Sequence, residues 1–380
     1  MESWQSRAHP GRLNQRSMHG TIMRPPATSS QKKPLAFIML SAFLFGISLP
    51  LAKLLVQDIS PVALAGLLYL GAFVGLSLYS LGRRRTTTRR DSAVTQLRRK
   101  DLPWLAGAVV SGAVAAPILL MTGLTLVSGF SASLLSNLEG VATAVIAVLV
   151  FAENAGRRLW LALSCMTAAG VFLTWDPARG GFTFLGPLLI VSAMVCWGID
   201  NNLTRHISHR DPIQITRIKS LVGGTISLSL ALALGLEITS ALTIVLALLL
   251  GSFSYGVSLV FFIKALRGLG SFRTGAFFSL SPFIGAIASL IILREWIGWV
   301  IFPAAALLIA GVWLIYGERH SHMHLHEAVT HTHEHSHGDR HHLHEHWGTA
   351  REPHAHRHTH VELAHAHTHW PDTHHRHEHA

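Results

Sequence analysis

Histidine is the residue of this 380-residue chain most plainly arranged for chemistry. Of 27 histidines, His9, His19, His206 and His209 stand apart, and the other 23 lie between His320 and Ala380. They are His320, His322, His324 and His326; His331, His333, His335 and His337; His341, His342, His344 and His346; His354, His356, His358 and His360; His365, His367 and His369; and His374, His375, His377 and His379. Much of the pattern is His-x-His. Alternation puts imidazoles on one side of an extended chain, so that neighbours reach one ion. Near neutral pH an imidazole is mostly unprotonated and free to ligate. Imidazole suits Zn, Ni, Co and Cu(II), whereas Cu(I) prefers thiolate or thioether. With Met323 as the tail's one soft ligand, the expected ion is divalent: Zn, Ni or Co. The plainer reading of the same residues is a solvated low-complexity tail.

Elsewhere, charged residues are conspicuous because their surroundings are apolar. Glu139 lies in "FSASLLSNLEGVATAVIAVLVF" (Phe130 to Phe151), about nine residues into an apolar segment. At 1.5 Å per residue that is a depth of roughly 13 Å. A carboxylate at the centre of a bilayer costs at least about 2.5 kcal/mol, which makes it a functional candidate by default. It reads either as a proton carrier or as neutral structural glue between helices. Asp200, Asn201 and Asn202 form the most polar cluster of another apolar segment. Asn202, His206 and His209 share helical spacing with one another, so this end reads as a polar mouth for substrate or metal, or as a solvated helix end. Arg217 and Lys219 follow Pro212 by five and seven residues. Long basic side chains near a helix end usually snorkel to the interface; Lys219 could instead meet an anionic group of a substrate.

The elements that must position these residues are membrane helices. Hydrophobic residues make up 49% of the chain, charged ones 13%, and the mean hydropathy is +0.37. Soluble domains carry about a quarter charged residues. The net charge of +11 does not point to nucleic acid, because the basic residues sit in short runs between apolar segments, as in "GRRRTTTRRDSAVTQLRRK" (Gly82 to Lys100). Such runs suit loops facing anionic lipid. A helix needs about 20 apolar residues to cross the hydrocarbon layer. Ten segments approach that length: 35–56, 62–81, 103–126, 130–151, 159–175, 182–204, 213–236, 241–266, 271–293 and 296–316. The fifth is short, and the seventh carries Arg217 and Lys219. Residues 1–33 read as a disordered basic arm without a signal-peptide pattern. Residues 318–380 hold too few large apolar residues to bury a core, and read as a disordered tail. Cys165 and Cys196 lie in apolar segments and imply no disulfide framework.

Lys and Arg in the connecting loops set the expected orientation. With the N-terminus in the cytosol, the inner loops include 82–100, 153–158, 205–211 and 267–273. The outer loops then hold Arg179 alone, apart from Arg294 at the last outer turn. Ten spans return the chain to the cytosol, histidine tail included. The expected location is the plasma membrane, multi-pass, with both termini cytosolic.

An internal repeat organises the spans. Displaced by 142 residues, "FSASLLSNLEGVATAVIAVLVFAENAG" (Phe130 to Gly156) lies on "FRTGAFFSLSPFIGAIASLIILREWIG" (Phe272 to Gly298) without a gap. Phe130 meets Phe272, Leu138 meets Leu280, Ala144 meets Ala286, Glu153 meets Glu295 and Gly156 meets Gly298. "AGVFLTW" (Ala169 to Trp175) matches "AGVWLIY" (Ala310 to Tyr316), and "FGISLPLAK" (Phe45 to Lys53) matches "WGIDNNLTR" (Trp197 to Arg205). Five helices per repeat is an odd number, so the second repeat must be inverted. Inverted repeats are a transporter device, rocking about a site near the midplane.

These residues resemble the drug/metabolite transporter superfamily, EamA type, over about residues 35–316. The resemblance rests on the aromatic-Gly pair with a basic residue seven positions after the Gly (Phe45, Gly46, Lys53; Trp197, Gly198, Arg205), and on Pro61 and Pro212. It rests also on "ALRGLGSFRTGAFFSLSP" (Ala265 to Pro282) and the Glu-x-x-Gly that closes the fourth and ninth spans. Two departures stand out. The first half has Leu138, Glu139 and Gly140 where the second has "LSP", and Leu68 occupies a position where the family often has a basic residue and where the second half has Lys219. The resemblance implies an all-α membrane protein with residues 34–176 and 177–317 as its two five-helix repeats. It also implies a transporter of small organic molecules, not an enzyme. The expected partners are a small-molecule substrate, the lipid bilayer and divalent metal ions, with no nucleic acid; the expected substrate pathway is Glu139, Asp200, Asn201, Asn202 and Lys219. Three functions are compatible with the sequence: an exporter of an organic metabolite whose tail senses or buffers metal, an efflux carrier for Zn, Ni or Co whose tail collects the ion, and a membrane-anchored metal store. The first is favoured, because the span interiors hold no His/Asp/Glu constellation of metal-site spacing.

Overall fold

Inside hydrocarbon a backbone N–H or C=O has no water to bond, so apolar segments of this length close their hydrogen bonds as helices. A computed structural model describes residues 32–86, 97–151, 157–173, 175–176, 181–182, 184–208, 210–236, 240–295, 298–299, 301–316, 320–326, 330–335, 354–359 and 363–369. Helical segments occupy all ten expected spans. The first repeat comprises α1 (Lys32–Gly46) with α2 (Ser48–Leu55), α3 (Pro61–Thr86), α4 (Leu102–Ala108) with α5 (Ala116–Leu126), α6 (Gly129–Leu135) with α7 (Leu138–Phe151), and α8 (Arg157–Phe172). The second comprises α9 (Leu185–Arg205), α10 (Pro212–Ala233), α11 (Ala241–Gly251), α12 (Ser258–Phe278), α13 (Ser281–Ile292) and α14 (Ile301–Tyr316). A short hairpin, β1 (Trp175–Asp176) against β2 (Gly181–Phe182), lies between the repeats. By length and composition, six helical stretches can cross a membrane: Lys32–Leu55, Pro61–Gly82, Arg99–Leu126, Gly129–Val150, Pro212–Ala233 and Ala241–Leu266. Trp160–Phe172, Ser281–Ile292 and Ile301–Leu314 are shorter apolar helices.

Local sequence sets the helix starts. Both α3 and α10 open on a proline, whose missing N–H costs nothing in a first turn. Asp211 caps α10 by accepting from the Ile213 N–H at 2.9 Å, and Ser128 caps α6 by accepting from the Ser131 N–H at 3.0 Å. Although α12 is helical throughout, it is not straight. The rings of Phe262 and Phe278 lie 5.1 Å apart. In a straight helix that 16-residue separation would span about 24 Å. The chain therefore reverses between them, where the sequence places the turn between the eighth and ninth spans.

Two helices depart from regular winding at repeat-related places. The third span of each repeat widens into a π-helical segment, at Val109–Ala115 and at Ser252–Val257. The fourth span of each is interrupted, between α6 and α7 at Ser136 and Asn137, and between α12 and α13 at Ser279 and Leu280. A displacement of 142 to 143 residues, within one residue of that relating the sequences, relates these features.

Membrane helices gain little from hydrophobic exclusion and pack instead through small residues that let backbones approach. Along α3, a Cβ on Gly66 would lie 2.8 Å from the Leu228 nitrogen of α10, and one on Gly75 would lie 2.9 Å from the Ser252 carbonyl oxygen. A Cβ on Gly71 would collide with the backbone of Leu248 in α11. Near the other end of α9, Arg210 is buried and its Nε donates to Asp101 Oδ2 at 2.8 Å, joining the start of the third span to the approach to the seventh.

In the tail, four short strands lie within the described residues. β3 (His320–His326) pairs antiparallel with β6 (Leu363–His369), and β4 (Thr330–His335) with β5 (His354–Thr359). The His-x-His pattern has the two-residue period of a strand.

Replacing Gly71 by valine should push α3 away from α11. Overpacking of this kind costs about 1–3 kcal/mol. A clear fall in the unfolding temperature of detergent-purified protein is the expected result, whereas Gly82→Ala, where a Cβ meets no atom within 4 Å, should leave it unchanged.

Candidate substrate cavity

The aromatic-Gly pairs of the two repeats build a crossed junction. A Cβ on Gly46 would lie 2.6 Å from the Ser281 carbonyl oxygen and 3.0 Å from Ile284 Cβ, so α1 of the first repeat abuts α13 of the second. A Cβ on Gly198 would lie 2.9 Å from the Thr143 nitrogen, so α9 of the second repeat abuts α7 of the first. Glycine is required at both positions by backbone proximity. The aromatic neighbours, Phe45 and Trp197, are thereby held beside the interruptions in the fourth and ninth spans. Phe45 packs on Tyr255 and Phe278, with ring centroids at 5.5 Å and 5.3 Å.

A π-type turn leaves a carbonyl without its usual helical partner. In the first repeat that carbonyl belongs to Gly112, and it accepts two side-chain donors: Tyr69 Oη at 2.6 Å and Trp197 Nε1 at 2.9 Å. The wider turn thus fixes two aromatic side chains from different helices.

Between these elements lie two adjoining cavities of about 220 Å³ and 260 Å³. Phe45, Glu139, Trp197, Tyr255 and Phe278 line both, so they are lobes of one space. The first lobe is floored by the two interruptions, through Ser136, Asn137 and Gly140 on one side and Ser279, Ser281 and Pro282 on the other. The second is walled by Tyr69, Asp200, Asn201, Lys219, Ser254 and Ser258, among others. Ligand sites near the midplane of inverted repeats are typically built from such discontinuous helices.

All five residues of the expected pathway are accounted for, in different ways. Glu139 lines both lobes, and its Oε1 accepts from Asn201 Nδ2 at 3.0 Å. The same Asn201 nitrogen is 3.1 Å from Thr143 Oγ1. Lys219 does not present a free charge to the cavity: its Nζ is bonded to both Asp200 oxygens, at 2.5 Å and 2.6 Å. Asp200 Oδ1 also accepts from Thr204 Oγ1 at 2.9 Å. Where the sequence left Lys219 between snorkelling to the interface and meeting an anionic substrate group, the structure pairs it with Asp200. Burial favours that outcome, since an unpaired charge in a low-dielectric interior is costly. Asn202 faces away from the cavity. It is buried, and its Nδ2 donates to the Thr143 and Gly198 carbonyls at 3.0 Å and 2.8 Å, tying α9 to α7.

Of the expected polar mouth, Asn202 and His206 lie within the described residues. Asn202 is used in packing, His206 is exposed and stacks on Trp104 at 4.0 Å, and His209 lies outside the described residues. Arg217 has its Nε 3.2 Å from Ser77 Oγ and its guanidinium 5.8 Å from the centre of the Phe73 ring. Among the residues whose side chains are described, no group of three or more His, Cys, Asp or Glu is placed to hold a metal ion. In the tail, backbone register sets His320, His322 and His324 opposite His369, His367 and His365. It sets His331, His333 and His335 opposite His358, His356 and His354. The remaining tail histidines, except His326, lie outside the described residues. Sequence reasoning missed Tyr69, Tyr255, Phe278 and Ser281 as cavity residues, because in an apolar span an aromatic or a serine carries no mark of facing a cavity.

At the end of the bundle where α2 and α5 terminate, two charged residues meet the break between α5 and α6, and one of them, Glu295, comes from the other repeat. Lys53 Nζ donates to the carbonyls of Leu124 and Val127 at 2.5 Å and 2.8 Å. Glu295 accepts from the N–H groups of Gly129 and Phe130 at 2.6 Å and 2.9 Å. The chain break between α5 and α6 thus has a cation on its last carbonyls and a carboxylate on its first N–H groups, the favourable sign at each helix end. Lys53 and Glu295 are the basic residue and the Glu-x-x-Gly glutamate of the repeated sequence pattern; Glu153, the repeat partner of Glu295, lies outside the described residues.

A family model described as the EamA-like transporter family matches residues 32–175 and again 184–317. An uncharacterized transporter of Methanothermobacter thermautotrophicus is 28% identical over 295 residues, which cover 73% of this chain and 84% of that protein. A solved crystal structure shares the fold at 18% identity, with a TM-score of 0.52 over 75% of this chain and 98% of its own. With both halves matched, the chain is a multi-pass membrane protein that belongs to the EamA-like transporter family.

Proposed function

We propose that the protein is a secondary transporter that exports a small organic metabolite across the plasma membrane, with both termini in the cytosol and a cytosolic tail that binds divalent metal. The carrying observation is the cavity at the junction of the repeats, with aromatic walls and the Glu139 carboxylate facing into it. Aromatic and apolar walls suit an organic body, and a few placed polar groups give orientation. With Lys219 and Asp200 neutralising each other, Glu139 is the cavity carboxylate left without a basic partner among the described residues. In this reading it holds a proton or the cationic group of a substrate, one at a time. That competition couples the two movements.

The tail acts separately. Cross-strand register in the β3–β6 and β4–β5 ladders sets histidine opposite histidine, and directly opposed residues have Cβ atoms about 4.5–5.5 Å apart. Zn, Ni or Co is the ion such an array suits. Here the tail senses or buffers metal, while the cavity carries the organic cargo.

Glu139→Gln keeps the shape and the hydrogen bond to Asn201 but cannot exchange a proton. Proteoliposome transport by this variant should lose its pH dependence while expression and unfolding temperature stay near wild type; wild-type pH dependence in the variant would remove Glu139 from the mechanism.

Deleting residues 320–380 removes all 23 tail histidines and no span. Flux measured against free Zn, Ni or Co in vesicles should keep its maximum for an organic substrate and lose only its response to metal. A deletion that instead weakens metal flux at low free ion, with recovery at high ion, would favour metal as the cargo and the tail as its collector.

A further inference from the structure

We propose that Lys264, with Lys33 beside it, binds the phosphate headgroup of an anionic membrane lipid, at the end of the bundle where α1 begins and α3 ends. The site lies apart from the cavity and is independent of what the cavity carries. Lys264 is exposed, yet its ammonium is held in place. Its Nζ lies 5.4 Å from the ring centre of Phe37 in α1, 5.5 Å from that of Tyr79 in α3 and 5.9 Å from that of Phe261 in α12. Phe37 and Phe261 are themselves stacked, with centroids 5.5 Å apart. Ring faces attract an ammonium and fix its position, but they do not neutralise it. No carboxylate does so either: α1, α3 and α12 contain no Asp or Glu, and Lys264 has no ion-pair partner among the described residues.

Positive charge accumulates around this ammonium. By helical spacing in the sequence, Lys33 comes one turn before Phe37, Arg83 one turn after Tyr79 and Arg267 almost one turn after Lys264. Each of the three helices adds a basic residue next to the aromatic cluster, and none adds an acid. Lys33 is exposed. One turn from Phe37 in the other direction, Leu40 is 42% exposed and gives an acyl chain an apolar surface. Tyr79 is half-buried, and its hydroxyl makes no hydrogen bond among the described residues. Tyrosine with an apolar body and a free polar tip suits the headgroup level of a bilayer. A phospholipid supplies what this surface lacks: its phosphate meets the ammonium groups, and its chains run along the helices into hydrocarbon. Basic pockets between membrane helices take such headgroups. Lys33 belongs to the first repeat and Lys264 to the second, so one headgroup held by both bridges the repeats.

Delipidated full-length protein in detergent is titrated with palmitoyl-oleoyl phosphatidylglycerol, and occupancy is read by native mass spectrometry. Phosphatidylcholine with the same chains is the zwitterionic control. The variants are Lys264→Met, Lys264→Arg, Lys33→Met and Arg157→Gln, the last removing an exposed charge at the start of α8. Wild type should bind phosphatidylglycerol ahead of phosphatidylcholine. Lys264→Met and Lys33→Met should each weaken that binding roughly fivefold, the worth of one basic residue near an anionic surface. Lys264→Arg and Arg157→Gln should match wild type, and millimolar inorganic phosphate at constant ionic strength should not displace the lipid. The exposed Lys33 can be replaced without disturbing packing, so its result stands even if Lys264→Met unfolds. Equal binding of the two lipids would reduce the site to adhesion of chains, and an equal loss in Arg157→Gln would reduce it to diffuse surface charge. Displacement by inorganic phosphate would make the ligand a soluble anion. Any of these, or wild-type binding in both methionine variants, overturns the proposal.

Discussion

A backbone polar group in hydrocarbon must find its partner within the protein, and the architecture is arranged around the few places where regular winding leaves one without. The wider turn at Val109–Ala115 frees the Gly112 carbonyl, and Tyr69 and Trp197 supply donors for it. At the interruption after α6, Asn137 Nδ2 and Ser136 Oγ return to the Leu134 and Ser133 carbonyls, at 3.1 Å and 2.6 Å. At the break between α5 and α6, Lys53 and Glu295 take the exposed carbonyls and N–H groups. Irregular backbone at membrane depth survives only where protein or a cavity meets it. Most of these repairs border the cavity, which is why the cavity has polar atoms at all.

The junction between repeats is crossed, and this has a mechanical consequence. Gly46 ties the first span to α13, while Gly198 ties the sixth to α7. Each repeat therefore clasps the interrupted helix of the other. A rotation of one repeat against the other cannot leave the cavity floor unchanged, because the two interruptions ride on opposite partners. Glu295 holds one end of this junction through two hydrogen bonds to the first repeat, so a relative movement of the repeats at that end must exchange them for others. Close-packed contacts of this kind switch between discrete arrangements rather than deform continuously.

Much of this frame is legible in the sequence, and the remainder is hidden for definite reasons. Hydropathy and the repeat locate the helical segments, and the aromatic-Gly pairs, the basic residue after them and the Glu-x-x-Gly glutamate stand out as a repeated pattern. Their physical roles emerge only from contacts across 71 to 166 residues, such as Lys53 with Leu124 and Glu295 with Gly129. Glu139 and Asn201 are conspicuous as polar residues in apolar spans, and they do meet. Lys219 and Asp200 are equally conspicuous, yet their pairing depends on how α9 and α10 are rotated, which hydropathy does not encode. The π-helical segments leave no trace in periodicity, since one wider turn shifts the pattern by less than a residue's width. In the tail, alternation has the period of a strand while the composition, with no hydrophobic face, reads as disorder.

The charge arrangement of the cavity bears on how a carrier of this design would cycle. An ion pair such as Lys219–Asp200 is electrically neutral and can stay in place as the repeats move, whereas removing either partner would strand a charge at a cost of about 3–5 kcal/mol. Among the described residues, Glu139 has an amide donor but no cation at ion-pair distance, since Lys219 is paired with Asp200. A bare carboxylate in a closed, low-dielectric cavity is unfavourable, and a proton or a bound cation removes that penalty. Under the proposed reading, the occluded state is thus reached readily when Glu139 is loaded and poorly when it is empty. Exchange of substrate for proton follows from that difference alone, without a second coupling site.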